Sequence, residues 1–146
     1  MFMHALYGLL RPKYRLVRVT YGGKAMRAYL ADSFAKKMFG LMYREGLEKD
    51  RGMLFVLGRE SITEASIWML NMKFSIDVVW MNGGGKVIDI VENAKPCASM
   101  FGCRAYAPKS KAKYVLELNS GEVRALGVRS GERIGLPDLK KGAARS

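Results

Sequence analysis

Two carboxylates flanking a glycine turn are the residues whose spacing comes nearest to a reaction. Asp77 lies in the apolar run Ile76–Met81 and Glu92 ends the run Lys86–Glu92, with Asn82-Gly83-Gly84-Gly85 between them. Asn-Gly between apolar runs is a strong hairpin signal. Alternate residues of a strand share a face. An even-numbered loop therefore sets Asp77 opposite Ile90, with Glu92 as its diagonal neighbour roughly 7–8 Å away. Carboxyls that close can divide acid and base roles, as in glycoside hydrolysis. An odd loop separates them onto opposite faces. The structural alternative for Asp77 is a bidentate pair with Arg44, or hydrogen bonds to neighbouring amides that hold the loop before its strand.

Trp68 and Asn71 add an apolar ring with one donor beside an amide, a combination that suits a pocket wall. Core packing is the competing role for Trp68, and Trp80 shares a strand face with Ile76 and Val78 as a core residue. Cys97 and Cys103 are six positions apart. A bridge between them closes a short ring worth roughly 2–3 kcal/mol by chain entropy. Free thiols are the alternative in a reducing compartment, and the spacing leaves both open.

Several chemistries lack their parts. The single histidine, His4, stands in the N-terminal stretch, so a Ser-His-Asp or Cys-His set has no base. Two cysteines do not make a zinc site. No phosphate-binding glycine loop opens a helix. We expect no metal and no cofactor, and the chain reads as a non-enzyme.

The elements that must position these residues are short. Tyr14–Thr20 and Lys24–Ala31 read as a hairpin about Gly22-Gly23. Asp32 or Ser33 caps a helix over Phe34–Met42, with Phe34, Met38, Leu41 and Met42 on one face. Leu54–Leu57, Ser66–Leu70, Ile76–Met81, Lys86–Glu92 and Tyr114–Leu118 read as strands. Residues 94–112 read as a long loop, and length alone marks such a loop as ordered or functional. Ser120 caps a helix over Glu122–Leu126 that Gly127 ends, and Gly131–Leu136 holds a last short strand. Short strands without a βαβ rhythm predict a mainly β domain, an antiparallel sandwich or open barrel with one or two short helices.

The 146 residues carry a net charge of +12, and 49% are hydrophobic. This fits one globular domain, expected over residues 14–136, with a leader over 1–13 and a basic tail over 137–146. Residues 1–27 hold six Lys/Arg and no acid, residues 28–93 hold eight and nine, and residues 94–146 hold eleven and four. Basic flanks of this kind favour weak nucleic-acid association, because neutralised phosphates release counterions. Solvated ends are the plainer reading. Met1–Leu10 is apolar but lacks a leading basic region and a cleavage site. It is also shorter than the roughly 20 residues that span a bilayer, so the cytoplasm is the expected compartment and no membrane span is expected.

Taken in order, the residues form a recognisable series. Gly40-Leu41-Met42-Tyr43-Arg44 is followed by Gly52-Met53-Leu54-Phe55-Val56, by Trp68-Met69-Leu70-Asn71-Met72, and by Ile76-Asp77-Val78-Val79. Glu92-Asn93-Ala94, Pro96-Cys97, Tyr114-Val115-Leu116-Glu117, Gly127 and Gly131-Glu132-Arg133 complete it. Over residues 15–136 this resembles the domain of unknown function 192 family. The resemblance implies a jelly-roll-like mainly β domain and no established reaction, ligand or cofactor. Leu70 stands where many relatives carry Lys, and Ser75 where Pro precedes the strand. The resulting expectation is a non-enzymatic ligand-binding or accessory domain with a small-molecule pocket near Arg44, Trp68, Asn71, Asp77 and Glu92. The alternatives are a hydrolase using Asp77 and Glu92, and nucleic-acid association through the termini.

Overall fold

Gly22 and Gly23 both adopt positive φ, 55° and 77°, the combination that a two-residue type I′ turn requires. They join β1 (Leu16–Tyr21) to β2 (Lys24–Ala31), with Tyr21 opposite Lys24. The computed structural model describes residues 11–139. His4, most of the expected leader and the end of the expected tail lie outside them.

Beyond β2 the strands are β3 (Arg51–Ser61), β4 (Ile67–Trp68), β5 (Ile76–Met81), β6 (Val87–Ala94), β7 (Ala105–Tyr106) and β8 (Ala112–Asn119). Six form one sheet in the order β1-β2-β3-β8-β5-β6, and β4 pairs with β7. The fold is mainly β, as expected, and its pairs are antiparallel except that β2 and β3 run parallel. Residues 32–50 provide the crossover that a parallel pair demands. They contain α1 (Phe34–Phe39), capped by Ser33, whose side chain accepts from the Lys36 amide. Gly40, at φ 47°, ends α1 before Leu41 and Met42. The expected apolar helix face is therefore cut short. Leu41 enters the core from the following loop, while Phe34 and Met38 remain exposed.

β5 is buried along its whole length, as an apolar strand covered on both faces should be. One core cluster includes Met53, Val78, Trp80 and Val115, covered by Leu41, Leu47, Met69 and Met72 from the loops. The other gathers Val19, Leu30, Leu54, Val79, Val87 and Leu116 from all six strands, together with Val123 of α2 (Glu122–Leu126) and Ile134.

The segment after α2 reaches both edges of the sheet. Thr20 on β1 and Gly135 exchange backbone hydrogen bonds of 2.9 and 2.8 Å. On the opposite edge Val87 donates to Glu132 O and accepts from Gly131 N, each at 2.8 Å. The expected last strand over Gly131–Leu136 is thus a strap of isolated bridges. It shields edges that would otherwise offer unpaired backbone groups and turns the curled sheet into an open barrel around Ile134.

Candidate functional site

The strap, α2 and the β1–β2 hairpin leave a cavity of about 360 Å³ at one end of the barrel. Val19, Met26, Leu116, Leu126, Val128 and Ile134 supply apolar wall, and Lys24, Asp50 and Glu122 supply charge. Tyr21 fastens the hairpin to the far end of α2. Its hydroxyl lies 2.9 Å from Gly127 O and also meets the Glu132 carboxylate. The bond to Glu132 holds the Tyr21 hydroxyl above its ordinary pKa. A concave site of this size, mostly apolar with a few polar groups at a barrel mouth, has the usual make-up of a small-molecule pocket.

None of the five residues expected to form the pocket lines this cavity. Asp77 is fully buried. Its Oδ1 accepts from Asn93 N at 2.9 Å, and its Oδ2 accepts from Gly121 N and Val123 N, each at 3.0 Å. It therefore caps α2 from a distant strand, where Gly121 has no side chain to do so. Amide binding was one expected alternative, but the amides belong to Asn93, Gly121 and Val123 and not to the loop before β5, and Arg44 takes no part. Ser120, the expected cap, instead donates to Asn93 Oδ1 at 2.9 Å.

Glu92 is exposed and faces Arg124 Nε at 3.9 Å. The register differs from the even-loop expectation. Val79, not Asp77, lies opposite Ile90, and Met81 lies opposite Val87. The turn spans five residues, Asn82–Lys86, and an irregularity between Trp80 and Met81 adds one further shift; a second irregularity follows between Ile76 and Val78. Asn93, at φ 56°, sits at the second and turns its amide onto Asp77.

Arg44 lies 4.7 Å over the Tyr29 ring and 5.6 Å from the Tyr14 ring centre. Among the described residues its Nε is buried and has no hydrogen-bond partner. Nearby, Tyr29 donates to Glu48 at 3.1 Å. The Glu48 carboxyl is held low first by its own backbone amide, with burial opposing and the Tyr29 bond and Arg44 charge assisting. Asn71, at φ 63°, accepts Tyr43 N at 2.9 Å through its carbonyl, which joins its turn to the Arg44 loop. Trp68 is 49% exposed and pairs with Ala105 across β4–β7. The structure thus links the loops of Arg44 and Asn71, and separately packs Asp77 against the residue after Glu92.

Cys97 and Cys103 are bonded, with Cα atoms 5.3 Å apart. β7 follows directly, so the expected loop over 94–112 contains a short strand, which pairs with β4. Among the described residues no three His, Cys, Asp or Glu side chains gather as a metal site.

Sequence reasoning passed over Glu117. It lies opposite Met53 on β3 and Val78 on β5, so Tyr29, Met53, Glu117, Val78 and Val91 form one row across the sheet. It is 6% exposed, and burial pushes its pKa up to about 8. The signal was a lone acid inside Val115-Leu116-Glu117-Leu118, which also fits an outward-facing strand position.

The family model described as uncharacterized ACR, DUF192, matches residues 17–136, from β1 through the strap. The chain belongs to the DUF192 family. A UPF0127 protein of Pyrococcus furiosus is 38% identical over 115 residues, covering 77% of this chain and 90% of that protein. A UPF0127 protein of Thermococcus kodakarensis is 35% identical, covering 77% and 67%. A crystal structure of a "putative transcription regulator" from Sinorhizobium meliloti superposes with a TM-score of 0.75 at 32% identity, covering 86% of this chain and 97% of that one. A protein of unknown function from Novosphingobium aromaticivorans gives 0.74 at 25%, covering 86% and 89%. DUF192 is a family without an established function, and among the described residues no helix is long and apolar enough to cross a membrane.

Proposed function

We propose that this DUF192 domain is a non-enzymatic binding module whose ligand is a small, largely apolar molecule held in the barrel-mouth cavity. The observation that carries the reading is the cavity of about 360 Å³, walled by Val19, Met26, Leu116 and Leu126 and edged by Lys24, Asp50 and Glu122. A hydrolase built on Asp77 and Glu92 has less support, because Asp77 is sealed from solvent with both oxygens bonded to amides. Titration with N-phenyl-1-naphthylamine, a neutral fluorophore that brightens in apolar sites, tests the proposal. Saturable binding to the wild type, lost in Leu126→Trp at an unchanged melting temperature, is expected. Absent binding, or binding that Leu126→Trp leaves intact, defeats the reading.

A second reading keeps Arg44 with Asn71 as an anion contact, on the strength of the buried, unpartnered Arg44 Nε. Arg44→Lys, which loses the planar fork, should then abolish a thermal shift produced by small carboxylates. No such shift in the wild type removes it. Nucleic-acid association through the termini is a third. It rests on the +12 charge and on the likeness to the Sinorhizobium meliloti protein described as a transcription regulator. Salt-sensitive binding that survives deletion of residues 1–13 and 137–146 would move that site elsewhere.

A cytoplasmic location is part of the proposal. The disulfide is compatible with it, since intracellular proteins of hyperthermophilic archaea are disulfide-rich and relatives come from Pyrococcus and Thermococcus.

A further inference from the structure

We propose that the disulfide-clamped loop Cys97–Cys103 is a docking element for the surface of an anionic lipid bilayer. Its tip carries Met100, 70% exposed, and Phe101, 96% exposed, among the most exposed large apolar side chains described. An apolar side chain left almost wholly in water gains by transfer to a less polar phase. The chain does not let this loop recover that gain by folding back. Cys97 is anchored to the body, its amide donating to Met69 O at 3.1 Å, and the bond to Cys103 closes the ring at its base. The tip is presented outward on a fixed stem.

Charge chooses the partner. Between Glu92 and Glu117 the chain holds Lys95, Arg104, Lys109, Lys111 and Lys113 and no acid. Lys109 is used by Asp89 and Lys113 by Leu57 O, while Lys95 and Lys111 are exposed and Arg104, also exposed, lies 4.8 Å over the Tyr106 ring. Lys95 and Arg104 stand on the two stems of the ring, so cations flank the base of an apolar tip. Pairing of β4 with β7 brings the half-exposed Trp68 opposite Ala105, next to Arg104. An apolar wedge, a tryptophan at its base and a collar of Lys and Arg is the composition that settles at a lipid interface. There the wedge enters the headgroup–acyl boundary and the cations meet anionic headgroups. A protein interface requires a broad complementary patch, whereas this feature is a two-residue point. A nucleic-acid strand would use the same cations with aromatic stacking; Phe101 offers one ring at the tip and Met100 beside it none, which makes the tip an apolar wedge rather than a stacking platform.

The test is co-sedimentation of the full chain with vesicles of phosphatidylcholine alone and of phosphatidylcholine containing about one third phosphatidylglycerol, an anionic composition of the kind that attracts basic surfaces. Trp68 fluorescence serves as a second readout. We expect binding to the anionic vesicles only, with a blue shift of the emission. We expect about a tenfold weaker partition for Phe101→Ser combined with Met100→Ser, from the apolar area withdrawn, at an unchanged melting temperature. Lys95→Glu with Arg104→Glu should weaken it comparably. Raised salt should reduce binding without abolishing it, because the wedge remains. No partition into anionic vesicles overturns the proposal, as does partition that the Phe101→Ser, Met100→Ser chain retains. Binding of a single-stranded oligonucleotide that the same variant loses, without vesicle binding, assigns the loop to nucleic acid instead. Cavity variants such as Leu126→Trp should leave vesicle binding unchanged, which keeps this outcome separate from that of the cavity.

Discussion

Asp77 accepts the Val123 amide at 3.0 Å across 46 positions of sequence. A carboxylate on the buried strand β5 thereby fixes the first turn of the helix that supplies Glu122 and Leu126 to the cavity. Negative charge at a helix N-terminus is favourable both as a hydrogen-bond acceptor and against the dipole. Asp77→Ala leaves three amides without their acceptor. Its expected cost is roughly 3 kcal/mol at about 1 kcal/mol or more for each lost partner. Urea unfolding of Asp77→Ala beside Glu92→Gln checks this. The exposed Glu92 should contribute no more than about 0.5 kcal/mol, so equal effects would mean that the cap does not hold the helix.

Glu117 makes stability depend on pH. Its folded pKa of about 8 stands above the ordinary value of 4.5, because burial disfavours the charged form. Between these values the folded chain holds a proton that the unfolded chain has released. The contribution is fully favourable below about 4.5, declines as pH rises, and is lost above about 8. The whole span is worth about 5 kcal/mol at 1.36 kcal/mol per unit. Glu117→Gln removes the titration. Melting temperatures measured from pH 5 to 9, on the order of this range, should fall for the wild type and stay nearly level for the variant. Parallel curves would show that Glu117 does not titrate there.

These two acids show what the sequence made legible. Asp77 was visible as an unusual residue in an apolar run, and amide binding was one of its expected roles. Glu117, buried as well, drew no reading of its own within the strand Tyr114–Leu118, because a strand pattern does not reveal that loops cover the second face. The β5–β6 hairpin was readable from Asn82-Gly83, but its register was not. Bulges at Trp80/Met81 and near Asn93 depend on what the backbone meets in three dimensions. The parallel β2–β3 pair was hidden for a similar reason, since a crossover with only one short helix lacks a βαβ rhythm. The cavity draws on β1, β2, β8, α2 and the strap, and no local motif spans such distant segments.

The disulfide makes a separate prediction for stability. Closing a ring of this length restricts the unfolded chain by about 2 kcal/mol on the chain-entropy estimate. The Cys97→Ser, Cys103→Ser double variant should lose about that amount in urea, with an unaltered response to N-phenyl-1-naphthylamine, since neither cysteine lines the cavity. A loss of probe binding would instead couple the loop to the barrel mouth.

The strap depends on Gly85. This residue sits at φ 81°, and a Cβ placed on it would stand 2.7 Å from Ile134 O. Ile134 N in turn donates to Gly85 O at 2.9 Å. Side chains rarely adopt that φ, and the obstructing atom is backbone that cannot swing away. Gly85→Ala must therefore push the strap from the β6 edge or move the turn, at a cost of roughly 1–3 kcal/mol. At Gly83 a Cβ would meet only Glu60 Oε1, at 3.1 Å, the end of a flexible side chain that can give way, and Gly83→Ala should change stability little. Hydrogen exchange at the Val87 and Ile134 amides distinguishes the two. In Gly85→Ala both amides should exchange faster together, because both bond across to the strap or from it, while Thr20 on the far edge loses less protection. Uniform protection in Gly85→Ala would mean that the β6 edge is held by its own strand pairing and that the strap merely rests against it.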